Sequence, residues 1–275
     1  EIYGCSENAI LFGMPGDVSN DGTVFTNSYI HDNTVSGNLL HNAGAWNDAD
    51  GAICIYSSSI VNNVSTGCLI WSGPQVRTIL SGNHIANNNV TGDLIYLEGH
   101  SYGIGISNNI VENNTCGSLI YYYASIFPGV GIDNNIFINN HGSINVQNNQ
   151  GFSFSRNQFF SNYGTINLTN NWGGIPNIEF NSIVGNEGNG LVVNGNFSIK
   201  NNLIAFNTGT ELVYNSSYAQ CRYNLIFDDS GTIINNNGTL TLLLDLIAAN
   251  VNNTTCDVYY NISCDPLLSN GSIVL

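Results

Sequence analysis

Basic residues are nearly missing from this chain: four Lys and Arg stand against 19 Asp and Glu over 275 residues, a formal net charge of −15. That excess repels nucleic-acid phosphates and anionic lipid head groups, so neither is an expected partner. Charge of either sign is scarce, at 8% of residues, and the surface has to be built mainly from Asn, Ser, Thr and Gly. Low charge alone suggests disorder or insolubility, but 43% of the residues are hydrophobic and fall in phase, which calls for a packed core. No apolar run approaches the length of a membrane-spanning helix. No signal-like segment opens the chain and its first residue is Glu1, so a processed or excised piece of a longer protein is expected. The seven cysteines contain no C-x-x-C pair, which removes the usual zinc and redox motifs.

What the chain has is a repeat. The stretch from Ile106 through Asn108, Ile110, Asn113 and Gly117 to Leu119, Ile120 and Tyr121 defines a unit. Its marker aliphatic or aromatic returns as Ile30, Ile60, Ile85, Ile110, Ile136, Phe159, Ile183, Ile204 and Ile226. The spacing falls from about 30 to about 21 residues, a period that signals stacked repeats. An Asn three residues after the marker recurs as Asn33, Asn63, Asn88, Asn113, Asn139, Asn162, Asn186 and Asn207. A glycine follows at Gly37, Gly67, Gly92, Gly117, Gly142, Gly164, Gly190, Gly209 and Gly231.

Short alternating runs rich in Ile and Val suit strands with one buried face, and glycine suits the corners between them. An Asn at one phase per coil can stack as an inward ladder, each amide bonding the next. The expected fold is therefore all-β, a right-handed parallel β-helix of about 9–11 coils. Residues 1–24 form an irregular cap, 25–235 the coils, and 236–275 a closing segment. The apolar period is two, not three and four, and this excludes a helical reading.

Cys256 and Cys264 flank a short loop and form the candidate disulfide, with Cys5 and Cys54 as a second, weaker pair. Disulfides would indicate an extracellular protein. Cys221 falls where other coils carry Leu80, Phe154, Ile178 and Ile199, the place of a buried thiol.

The segments Asp50-Gly-Ala-Ile53, Ile60-Val-Asn-Asn63, Ile85-Ala-Asn-Asn88 and Phe159-Phe-Ser-Asn162 resemble the repeats of polymorphic outer membrane proteins and related adhesin-like β-helix proteins. Tyr223-Asn-Leu-Ile-Phe227 and Asp265-Pro-Leu-Leu268 are similar to the closing segment of surface-anchored β-helix proteins. The resemblance covers nearly the whole chain and implies a parallel β-helix at a cell surface. The wider class also includes pectin-degrading enzymes and phage tailspikes. The glycine-glycine-alanine motif of the family is reduced here to Asp50-Gly51-Ala52.

Catalysis is not expected. A lyase needs a basic residue at the uronate, and only Arg77, Arg156, Lys200 and Arg222 are available. Lys200, Arg222 and Glu179 share one phase and read as an outward ion-pair column. A glycoside hydrolase needs facing carboxylates, whereas Asp93, Glu112, Asp133, Glu179 and Glu187 each stand alone at their phase. The motifs of pectin hydrolases are missing apart from an isolated Asp228-Asp229, and His31, His41, His84, His100 and His141 do not gather with Asp and Ser. No cofactor is expected. Calcium is the one ion the loops could take, at 17–22 and 47–51, where oxygen ligands precede glycine; turns favour the same residues.

Candidate glycosylation sites off the ladder are Asn89, Asn167, Asn196, Asn215, Asn237, Asn252, Asn253, Asn261 and Asn270, while the sequons at Asn63 and Asn113 are expected to point inward. Placing Leu39, Leu69, Leu94 and Leu119 inward puts Leu40, Ile70, Ile95 and Ile120 in an outward apolar column, either covered by the long loops of these coils, including Trp46 and the run 124–128, as a second small core, or a candidate interface. The expectation for function is a non-enzymatic extracellular structural or adhesive protein, a glycosylated fibre segment that associates with itself, other surface proteins or glycans. The alternatives are a polysaccharide-processing enzyme and a carbohydrate-binding β-helix, the latter requiring exposed aromatics at groove phase.

Overall fold

The computed structural model describes residues 1–5, 10–12, 23–42, 52–73, 76–98, 103–123, 130–148, 152–171, 174–215 and 220–227, and near the end 234–236, 239–241, 248–249, 255–256, 261–263 and 266. Every regular element among them is a strand. The strands stack into three long sheets of 9, 10 and 14 strands, here sheets 1, 2 and 3 in the order in which a coil meets them. In one coil Arg77–Ser81 belongs to sheet 1, His84–Ala86 to sheet 2 and Ile95–Glu98 to sheet 3. Each pairs in parallel with the equivalent strand of the coils before and after it, so the chain is a parallel β-helix.

Nine residues explain most of the winding. Leu80-Ser-Gly-Asn83-His-Ile85-Ala-Asn-Asn88 carries two inward apolar side chains and two inward amides. Leu80, Ile85, Asn83 and Asn88 are all buried, within a continuous core. The residue before each amide turns the corner in the left-handed region: Gly82 has φ 68° and Asn87 has φ 55°. Asn and Gly tolerate that conformation better than other residues, which accounts for the Asn doublets.

Two amide ladders run the length of the molecule. The first passes through Asn33, Asn63, Asn88, Asn114, Asn140, Asn162, Asn186 and Asn207. In each step the Nδ2 of one Asn donates to the Oδ1 of the next at 2.9–3.0 Å, and the same oxygen accepts a backbone N–H. Beyond Asn207 the carboxylate of Glu211 takes the next place, its Oε1 accepting from the Asn207 backbone N–H at 2.8 Å and its Oε2 from the side-chain amide. The second ladder, which sequence reasoning missed, starts at Ser58 and runs through Asn83, Asn109, Asn135, Asn157, Asn181, Asn202 and Asn224 to Asn261.

The first ladder corrects two expectations. Asn113 and Asn139 lie outside it, exposed, at φ 55° and 52°, and Asn114 and Asn140 take the inward places. Ile110-Val111 and Ile136-Phe137 each offer two adjacent apolar residues ahead of an Asn doublet, so a shift by one leaves the motif intact. The core takes Val111 and Phe137, while Ile110 is 43% exposed.

The corner into sheet 3 corrects the candidate interface. Leu40, Ile70, Ile95 and Ile120 are buried and in register, and the column continues inward as Ile144, Ile166, Leu191 and Leu212. Leu39, Leu69, Leu94 and Leu119 are buried as well. They are an extra residue at the corner: the register skips between Ser118 and Ile120 where the coil of His141–Asn148 lacks a counterpart of Leu119. A bulge of this kind breaks strict alternation and lets two successive side chains face the core. The corner glycines stack on one another, with Gly188 holding the place expected for Gly190: the Gly209 N–H donates to the Gly188 carbonyl at 2.8 Å.

Both ends use the sheets themselves. Ile2–Tyr3 pairs with Tyr29–His31, and Ile10–Phe12 with Leu40–Asn42, so part of the segment read as irregular supplies the first rungs. At the far end Ile262 bridges Leu225 in sheet 2, and sheet 3 finishes in an antiparallel pair, Ile234–Asn236 with Thr239–Thr241.

Candidate contact surfaces

Strand alternation sets what each sheet shows outward. In sheet 2 the central residue of each three-residue strand is buried and its flanking residues face out. From Ile136–Ile138 to Leu225–Phe227 these are Ile136, Ile138, Gln158, Phe160, Ser182, Leu203, Leu225 and Phe227, all half-buried, with Val184 and Ala205 fully buried on the same side, and none of them is charged. Three of the bends beside this face are aromatic, among others that hold Asn134, Asn139, Arg156, Ser161, Gly185 and Asn201. Phe180 (φ 59°, 52% exposed) and Tyr223 (φ 58°) stand on the edge toward sheet 1. Phe206 (φ 59°) stands on the opposite edge, its ring 5.3 Å from Phe227.

Sheet 3 presents a different outer face. His41, Trp71, Tyr96 and Tyr121 occupy one column on consecutive rungs. Trp71 and Tyr96 stack at 6.2 Å with an interplanar angle of 4°, Tyr96 and Tyr121 at 5.2 Å and 1°, while His41 meets Trp71 edge-on. Below Tyr121 the column continues as Asn145 and Asn167, joined by an amide hydrogen bond of 2.9 Å. A second outward column holds Glu98, Tyr123, Gln147, Thr169, Asn194 and Asn215. These outward aromatics could not be placed from the sequence because of the corner bulge.

The ionisable residues are spread over the faces. His84 pairs with Glu112 at 2.8 Å. Asp133 accepts hydrogen bonds from the hydroxyls of Ser153 and Ser155, both at 2.7 Å. His31 lies between Asp32 and Glu1, and hydrogen bonds to those two carboxylates raise its pKa. Glu179, Lys200 and Arg222 stand on consecutive rungs of sheet 1, as their shared phase requires, but the ion pairs among the described residues are those of His31 and His84, so the column is not joined by ion pairs. Among the described residues no three of His, Cys, Asp and Glu converge as a metal site would require. Both calcium-loop stretches and His100 fall outside the described residues.

The cysteines correct two expectations. Cys5 and Cys54 are not joined: Cys5 adjoins the ladder at Asn33, whereas Cys54 faces outward on sheet 1 beside Ile79. Cys256 is buried and its thiol is free, contrary to the expected disulfide, while its expected partner Cys264 lies outside the described residues. Burial pushes the Cys68 thiol up, and that of Cys116 up to about 12.

The sequons divide. Asn89 and Asn215 are exposed, and Asn167 and Asn196 are half-buried. Asn63 is in the ladder as expected, and Asn113 is outside it. Asn261 is corrected from candidate glycan carrier to buried ladder residue, since its Oδ1 accepts from both the backbone and the side chain of Asn224. Asn237, Asn252, Asn253 and Asn270 lie outside the described residues.

No helix among the described residues is long and apolar enough to cross a membrane. No protein-family model, curated protein or solved structure matches the chain.

Proposed function

We propose that this chain is a non-enzymatic, extracellular structural or adhesive protein, a glycosylated fibre subunit whose sheet 2 binds a second copy side by side. Phe180 carries the reading. Its backbone occupies the left-handed region, at φ 59°, in a bend position that several other coils give to Asn. That placement costs a side-chain-bearing residue about 1–2 kcal/mol, and with the ring 52% exposed, burial within the molecule does not offset it. Strain kept at an exposed position points to use outside the molecule.

A second copy suits this face better than a charged partner. Two molecules of net charge −15 repel at most approaches, yet along Ile136 to Phe227 the outward strand residues of sheet 2 carry no charge. Two-fold pairing would set the same ridges, at the same strand spacing, against each other. The exposed sequons at Asn89 and Asn215, and the resemblance to adhesin-like β-helix proteins, support the extracellular setting.

Sedimentation of the parent, Phe160→Asp and Phe180→Ser tests the contact. The parent should self-associate below about 100 µM, the range of weak specific pairs. Both variants should sediment as folded monomers by circular dichroism. A parent that stays monomeric across that range, or variants that associate as the parent does, would refute it.

A further inference from the structure

On sheet 3 the aromatic column stops abruptly. Tyr121 has one face against Tyr96, 5.2 Å away and parallel to within 1°. The next rung offers Asn145, a short amide that leaves the other face of the ring open, and Tyr121 is 36% exposed. Two residues on, Tyr123 faces the same way, 47% exposed, with Gln147 on the next rung. Two tyrosine rings therefore stand side by side at the top of a step whose tread is made of amides. The Asn145 amide is held in place, its Nδ2 donating to the Ser118 hydroxyl at 3.1 Å and its Oδ1 accepting from Asn167. Below, the outward residues are Thr169, Val192, Asn194, Val213 and Asn215, with Asn215 donating to Asn194 at 2.8 Å.

We infer that this step, Tyr121 and Tyr123 above Asn145 and Gln147, binds a neutral saccharide chain. The chemistry of the face selects the class. An open ring face accepts the apolar C–H face of a pyranose, and fixed amides supply donors and acceptors to its hydroxyl edge. From Tyr121 downward the outward residues of the strip carry no charge. A uronate would find no cation there, and nucleic acid would meet a chain of net charge −15. The site is on a different sheet from the proposed contact between copies, so either can fail without the other.

Calorimetric titration of the full chain with cellohexaose, maltohexaose and N-acetylchitohexaose, with hexagalacturonate as the anionic control, tests the inference. At least one neutral hexasaccharide should bind and hexagalacturonate should not. Tyr121→Ala and Tyr123→Ala should each weaken the neutral ligand at least about tenfold, Tyr121→Phe should bind within about threefold of the parent because the ring face is kept, and Phe180→Ser on sheet 2 should bind as the parent does. Failure of all three neutral sugars, parent-like affinity in both alanine variants, or equal binding of hexagalacturonate would overturn it.

Discussion

A single amide in this molecule acts on two coils at once. Asn114 donates to Asn140 and to the Ile85 carbonyl, while its own Oδ1 accepts from the backbone and the side chain of Asn88. Replacing it with Leu takes the acceptor from the Asn88 backbone and side-chain donors and a donor from the Asn140 and Ile85 oxygens, in a buried place. Asn114→Leu should lower stability by about 1–3 kcal/mol in urea titrations. Asn113, one residue earlier, makes the bend and faces solvent. Asn113→Gly should stay within about 0.5 kcal/mol of the parent, because glycine accepts the left-handed region freely. Equal losses from the two substitutions would put both residues in the same environment, against the ladder described here.

At the level of the strand and its corner, the periodicity made the fold readable and the corners hid the faces. The recurring Ile-x-x-Asn gave the parallel sheets and six of the eight rungs of the first ladder. It failed at Ile110 and Ile136 because Ile110-Val111 and Ile136-Phe137 are apolar in either register. The three-residue count from sheet 1 to the second amide would have settled it: Leu80 to Asn83, Ile106 to Asn109, Ile132 to Asn135. The aromatic column stayed illegible for a different reason. Leu119 adds a residue at the corner, and counting by two from there turns Ile120 outward and Tyr121 inward, the reverse of what the packing sets. The corner glycines constrain the same segment. A Cβ on Gly164, at φ 157°, would lie 2.5 Å from the Gly142 carbonyl oxygen and 2.9 Å from the Ser143 nitrogen. Backbone atoms cannot move aside as a side chain can, so Gly164→Ala should cost about 1–3 kcal/mol. A thermal melt within a degree of the parent would show that the corners are looser than this stacking requires.

For the whole molecule, stability should fall in alkali. Tyr122 is buried in the core with its hydroxyl unpaired, and burial raises its pKa. Burial also raises Cys68, and holds Cys116 at about 12. As pH climbs past about 9, the unfolded chain loses these protons first. The native state then binds more protons than the unfolded one, and each such group withdraws up to about 1.4 kcal/mol per pH unit until its native pKa is reached. Urea midpoints at pH 8 and pH 10.5 should differ clearly, with the higher pH less stable; coincident midpoints would mean these groups ionise as readily folded as unfolded. The same solenoid makes nearly every contact with the coil above or below, so the loss should spread along the stack instead of remaining at one coil.

The antiparallel pair that finishes sheet 3 has a bearing on how such rods could be assembled. A parallel edge left bare at one end and matched by Ile10–Phe12 at the other would let molecules thread onto one another like beads sharing a string, each end templating the next. Thr239–Thr241 runs the opposite way, so a first rung arriving there would have to pair antiparallel and would not continue the parallel stacking of the coils. Addition of a further parallel rung to sheet 3 is thereby discouraged at this pair.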